Sequence, residues 1–228
     1  MSVAREAPVI DQGWLASRGL LARVVREQVI DRAIESIGLA PNDCDAARNA
    51  ALEQWNDEGT RTQLERIGIR LEDLVAAEER RIKIRKFQEE TWRASLPTYF
   101  LKRKSALDQV VYWLLRTDDR LLARELYFRL KEGEEDFASL AAKHSLGSEA
   151  MTCGMLGPAA IGSLAPALGK LLLESEPGIV RQPVQIGDWT VIVRLEKILP
   201  CQLDPAMEER LYDELLDAWV AEHLPERS

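Results

Sequence analysis

A chain of 228 residues, 46% of them apolar, has the material for one large domain or two small ones with a real core. A formal net charge of −8 and a pI near 5.0 exclude the basic face that a sequence-independent grip on phosphates requires, so nucleic acid is not expected as a partner. No apolar run approaches the roughly 18 residues of a membrane span, and MSVAREAPVIDQGWLASRGL at the N-terminus lacks a long apolar core with a small-residue cleavage site, so the expected location is the cytoplasm. Cys44, Cys153 and Cys201 are widely spaced and in no C-x-x-C pairing, so neither a disulfide framework nor a zinc site is expected, and no metal or cofactor is implied.

From Trp14 to about Trp92 the apolar residues recur at helical spacing. LLARVVREQVIDRAIESIG predicts an amphipathic helix with a stripe through Leu21, Val24, Val25, Gln28, Val29, Arg32 and Ala33, stopped near Gly38. NDCDAARNAALEQWNDE follows, with Asn42 or Asp43 as cap and Gly59 as breaker. TRTQLERIG reads as a short helix, and LEDLVAAEERRIKIRKFQEETWRAS as a long one ending before Pro97, with Pro97 and YFLKRK as a linker. The basic runs ERRIKIRK and LKRK read as solvated helix faces.

After Ser105 the texture changes. LDQVVYWLLR predicts a strand and RLLARELYFRLKEG a helix closed by Gly133. DFASLAAKHS predicts a shorter helix with an acidic residue at its start. A glycine-rich loop follows, then a helix around PALGKLLLES, a turn and strand in EPGIVRQPVQI, and a strand in DWTVIVRLEKIL. DPAMEERLYDELLDAWVAEHL closes the chain as a helix capped by Asp204, with Pro205 at its first position and Leu211, Leu215 and Trp219 on one face. That face needs a partner, and the N-terminal helices are the expected one.

The second half resembles the parvulin family of peptidyl-prolyl cis/trans isomerases. LYFRLKEGEEDFASLAAKHS is similar to the family's helix pair. Gly154, Leu156 and Gly157 resemble its glycine-x-leucine-glycine motif, Gly162, Ser163 and Leu164 its glycine-glutamine-methionine turn, and EPGIVRQPV its proline-glycine to proline-valine segment. WTVIVRLE falls where the family has its last strand. The preceding helices resemble the arm of bacterial chaperone-type members. The resemblance implies an α+β fold, with a small antiparallel sheet surrounded by helices, plus an all-helical N-terminal domain completed by the C-terminal helix. The expected boundaries are 1–104 for the arm, 105–201 for the parvulin-like domain and 202–228 for the returning helix.

Prolyl isomerisation must lower a barrier of about 20 kcal/mol without cutting a bond, which calls for an apolar cup for the ring and polar groups that favour loss of amide resonance. By resemblance the family's polar residues, two histidines and a cysteine or aspartate, fall here on Tyr112, Val191 and Gly147. The cup positions fall on Leu156, Leu164 and Leu168, still apolar. Tyr112 is therefore the candidate catalytic group, and Leu156, Leu164, Leu168, Trp113 and Trp189 the candidate substrate-binding residues. His144 reads as a packing residue and Cys153 as a small buried or half-exposed thiol rather than a nucleophile. Trp14, Trp55, Trp92 and Trp219 read as helix packing, and KEGEED as a solvated turn.

The implied function is a parvulin-like isomerase or chaperone that binds extended or proline-containing client segments, with isomerase activity weak or lost. A fully active isomerase assisting folding or export of a client, and a non-catalytic assembly subunit, are the alternatives. The expected partner is an unfolded or extended polypeptide, a peptide destined for export being one such client. The sequence sets no oligomeric state.

Overall fold

Prolines and short polar side chains set where the helices begin. A computed structural model describes residues 11–225; the reading of the N-terminus above rests partly on residues 1–10, which lie outside the described residues. The chain divides into two units, one built from Met1–Pro97 and Pro205–Ser228, the other from Thr98–Asp204.

The first unit is helical: α1 Gln12–Ser17, α2 Leu21–Ile34, α3 Pro41–Asn56, α4 Glu58–Arg66, α5 Leu71–Trp92 and α10 Pro205–His223. The start of α3 differs from expectation, because Pro41 takes the first helical position and makes Ala40 the cap residue. Asp43 instead receives the Ala40 amide proton at 2.8 Å. The break after α3 falls on Asp57, whose carboxylate accepts from the Thr60 amide at 2.8 Å, so Gly59 lies inside α4. The α2 stripe is also rotated: Val29, Ile30 and Ile34 are buried while Gln28 and Arg32 are exposed. Those three residues pack with Leu216 and Val220 of α10, and Ile84, Phe87, Trp92 and Trp219 close around them. Phe87 meets Trp92 and Trp219 edge-on, at 5.7 and 5.2 Å between centroids. Trp14 is 40% exposed and takes no part in this core.

The second unit opens within α6, Leu96–Leu107, a helix where a linker was expected. Pro97 sits in its first turn, where a missing amide proton costs nothing, so it starts this helix rather than merely ending α5. Four antiparallel strands follow in the order β2-β1-β4-β3: β1 Gln109–Thr117, β2 Met155–Ala160, β3 Val184–Ile186 and β4 Trp189–Leu199. The strand β2 lies in the stretch read as loop. Its glycine and proline hide it from a propensity reading, and it tolerates them because it is an edge strand. One sheet face carries α7 Arg120–Glu132 and α8 Phe137–His144, with Leu115, Leu126, Phe137, Leu140 and Ile192 at its core. On the other face α9, Pro166–Leu173, packs Leu171 and Leu172 against Val193 and Leu195. Asp136 caps α8 by accepting from the Ser139 amide at 2.8 Å.

Candidate functional site

Alternation along β1 puts Tyr112, Leu114 and Arg116 on one face, directly opposite Leu195, Val193 and Val191 of β4. On its other side Tyr112 pairs with Leu156 of β2. A short turn at Ile161–Ser163 then delivers Leu164, and α9 delivers Leu168. The structure thus brings Tyr112, Leu156, Leu164 and Leu168 into one apolar cluster, with the three leucines half-buried at its margin and Tyr112 only 3% exposed.

The two tryptophans separate. Trp113, one residue along from Tyr112, points to the opposite face, where its indole N–H donates to Glu196 at 2.6 Å and its ring lies 5.6 Å from Phe137. Trp189 is 37% exposed, on the same side as Val191, with the Arg116 guanidinium 5.9 Å from its ring.

Beside Tyr112 lies a polar corner that the sequence reading did not find. Arg116 grips Glu149 with two parallel hydrogen bonds, Nε to Oε1 at 2.9 Å and Nη2 to Oε2 at 2.7 Å. The Ser145 hydroxyl donates to Glu149 Oε1 and accepts from the Arg116 amide at 3.1 Å. Glu149 is 1% exposed as a side chain and Arg116 31%. Burial alone pushes the Glu149 carboxyl up, but the hydrogen bonds from Arg116 and Ser145 outweigh it and hold the group below the usual carboxylate range. The Tyr112 phenol is raised above its ordinary value by burial and then by the charge of Glu149, with Arg116 opposing. It is therefore a neutral hydrogen-bond donor at physiological pH.

Gly147 makes this corner possible. A Cβ there would stand 2.0 Å from Arg116 Nε, so the guanidinium occupies the volume of a side chain at 147. By resemblance, that is where the family's cysteine or aspartate falls. No local pattern signals it: Ser145 ends the stretch read as a short helix, Glu149 lies in the loop after it, and Arg116 is 33 positions from Glu149. Cys153 is exposed, against the expectation of a buried or half-exposed thiol, with its backbone in the left-handed region at φ 51°. Among the described residues it makes no hydrogen bond with His144.

The Rotamase family model, a PPIC-type PPIase domain, matches residues 116–197. The chain thus carries a parvulin-type domain in its second unit, the match beginning at Arg116, beyond Tyr112. In fold, the chain is similar to the peptidylprolyl isomerase PrsA of Bacillus anthracis, at 16% identity over 87% of this chain and 89% of that one, with a TM-score of 0.48. PrsA of Bacillus cereus is similar at 18% identity over 96% and 84%, with a TM-score of 0.48. A structure from the pair of SurA-like chaperones PEB4 and Cj1289 of Campylobacter jejuni is similar at 14% identity over 94% and 82%, with a TM-score of 0.40. No curated protein matches significantly.

Proposed function

We propose that the Thr98–Asp204 unit is a client-binding parvulin-type module that seats a proline or another apolar side chain of an extended or unfolded polypeptide on Leu156, Leu164 and Leu168, with isomerase activity weak or lost. One observation supports this reading: Leu156, Leu164 and Leu168 gather at the margin of one apolar cluster that holds no imidazole. On its strand face stand Tyr112, Leu114, Val191 and Val193, and the chain's two histidines end α8 and α10 instead. Burial of an apolar side chain against three leucines supplies binding but does not by itself distinguish a twisted amide from a planar one. A peptide destined for export is a client of the required chemistry. A cytoplasmic location is part of the proposal, supported by three free cysteines.

A second reading, an active isomerase, is favoured by Tyr112. Its phenol makes no hydrogen bond among the described residues and is free to donate to a client amide. NMR exchange spectroscopy on X-Pro peptides separates the two. Peptide binding with little or no acceleration of cis/trans exchange, and loss of binding in a Leu164→Ala, Leu168→Ala variant, is the expected outcome. Strong acceleration that Tyr112→Phe abolishes establishes the isomerase, and undiminished binding by the double variant removes the leucine cup from the account.

A further inference from the structure

On the sheet face away from the cup, α7 and the segment leading into β3 enclose a cleft of about 310 Å³. Arg120 and Arg124 line one side with Tyr127 and Phe128, and Gln182 and Gln185 stand opposite. The two arginines are one helical turn apart and so share a side of α7. Among the described residues neither forms an ion pair, although the same helix shows what pairing looks like: Arg129 is held between Glu125 and Glu135. The nearby Asp119 makes no ion pair with them; its Oδ1 accepts from the Leu121 and Leu122 amides at 2.7 and 3.1 Å. The Arg124 guanidinium lies 6.0 Å from the ring of Phe128, which is 44% exposed beside it. At the base of the cleft the buried Thr190 donates to Gln185 Oε1 at 2.9 Å.

Like charges one turn apart disfavour a helix, so helix stability does not account for this pair. Their placement beside an exposed ring and two amides makes sense as recognition. We propose that this cleft binds an acidic segment of an extended polypeptide, its carboxylates taken by Arg120 and Arg124 and an adjacent apolar side chain laid on Phe128. Arginine suits the task because its planar fork matches a carboxylate bidentately. An extended backbone fits the place, because β3 is the end strand of the sheet and offers its outer edge to another strand. The formal net charge of −8 opposes any anionic partner, and opposes a polynucleotide, with its denser charge, more than a short acidic segment met by two local arginines. The cleft is on the other sheet face from the leucine cup and is independent of it.

The test is fluorescence anisotropy on the full chain with two labelled, proline-free peptides, GDEFDEG and its amide counterpart GNQFNQG. The acidic peptide should bind about ten-fold tighter or more, the preference should vanish in Arg120→Gln, Arg124→Gln, and it should persist in Leu164→Ala, Leu168→Ala. Glutamine is a good helix former at these surface positions, and the peptide comparison itself needs no variant. Equal binding of the two peptides overturns the proposal, as does an undiminished preference in the arginine variant, or tighter binding of an oligothymidine than of the acidic peptide.

Discussion

At position 147 the missing Cβ leaves room for a side chain to enter from elsewhere in the chain. Arg116 enters it, and Glu149, nearly out of solvent, holds it in place. Because Glu149 titrates lower in the folded protein than a free carboxyl, its contribution is fully present above the ordinary glutamate value and is lost as pH falls through the lowered one. Glu149→Gln should therefore cost about 2–3 kcal/mol at neutral pH, the lower range for a buried pair because Arg116 remains partly solvated. Urea melts at neutral and acidic pH check this: the gap between wild type and variant should begin to narrow as pH falls below the ordinary glutamate value of about 4.3, and a gap independent of pH refutes the assignment. At this scale the sequence was legible where a rule of alternation applies. Tyr112 and the leucines share a cluster as strand and turn positions allow, whereas Trp113, its immediate neighbour, must face away because successive strand residues point to opposite sides. The Arg116 to Glu149 pairing was not legible, since nothing local links a strand arginine to a glutamate across a helix pair.

Among elements, the passage from the turn at Ser148–Thr152 into β2 is tightly packed. Gly154 has φ +88°, and a Cβ on it would come 2.6 Å from the Ala141 Cβ on α8. Gly178 has a similar φ of +80° with nothing within 4 Å. Comparing Gly154→Ala with Gly178→Ala separates backbone strain from collision. The second should cost about 1–2 kcal/mol from the left-handed backbone alone, the first about 1–3 kcal/mol more from overpacking. Thermal or urea melts giving equal losses disprove the close packing of α8 on this turn. The long helices, β1 and β4 were readable because their periodicity outlasts local exceptions. The helix α6 and the strand β2 were not, because proline in a first helical turn and glycine with proline in an edge strand look like punctuation when tertiary position is unknown.

Over the whole molecule, the helical unit is assembled from both ends of the chain, and α10 supplies Leu216 and Val220 to the cluster that Val29, Ile30 and Ile34 begin. Truncation after Asp204 should expose that cluster and lower the helical content well beyond the residues removed, while the Thr98–Asp204 unit keeps its sheet. Circular dichroism with amide hydrogen exchange reads both effects. Protection lost equally from β1 and β4 would show that the two units do not unfold separately. Composition and charge bounded the class of protein at this scale, and the amphipathic C-terminal helix signalled that it needed a partner. Which helices provide it is a matter of long-range packing that no local pattern encodes.

The same discontinuity orders events on the ribosome. Domains of a nascent chain commonly fold in the order in which they emerge. Here the helical unit, whose first helices emerge before the β-sheet unit, cannot close until α10 has followed that unit out. The β-sheet unit completes first, and until α10 is made the half-built helical unit carries the apolar side chains of α2 uncovered, as a newborn segment that itself needs shelter.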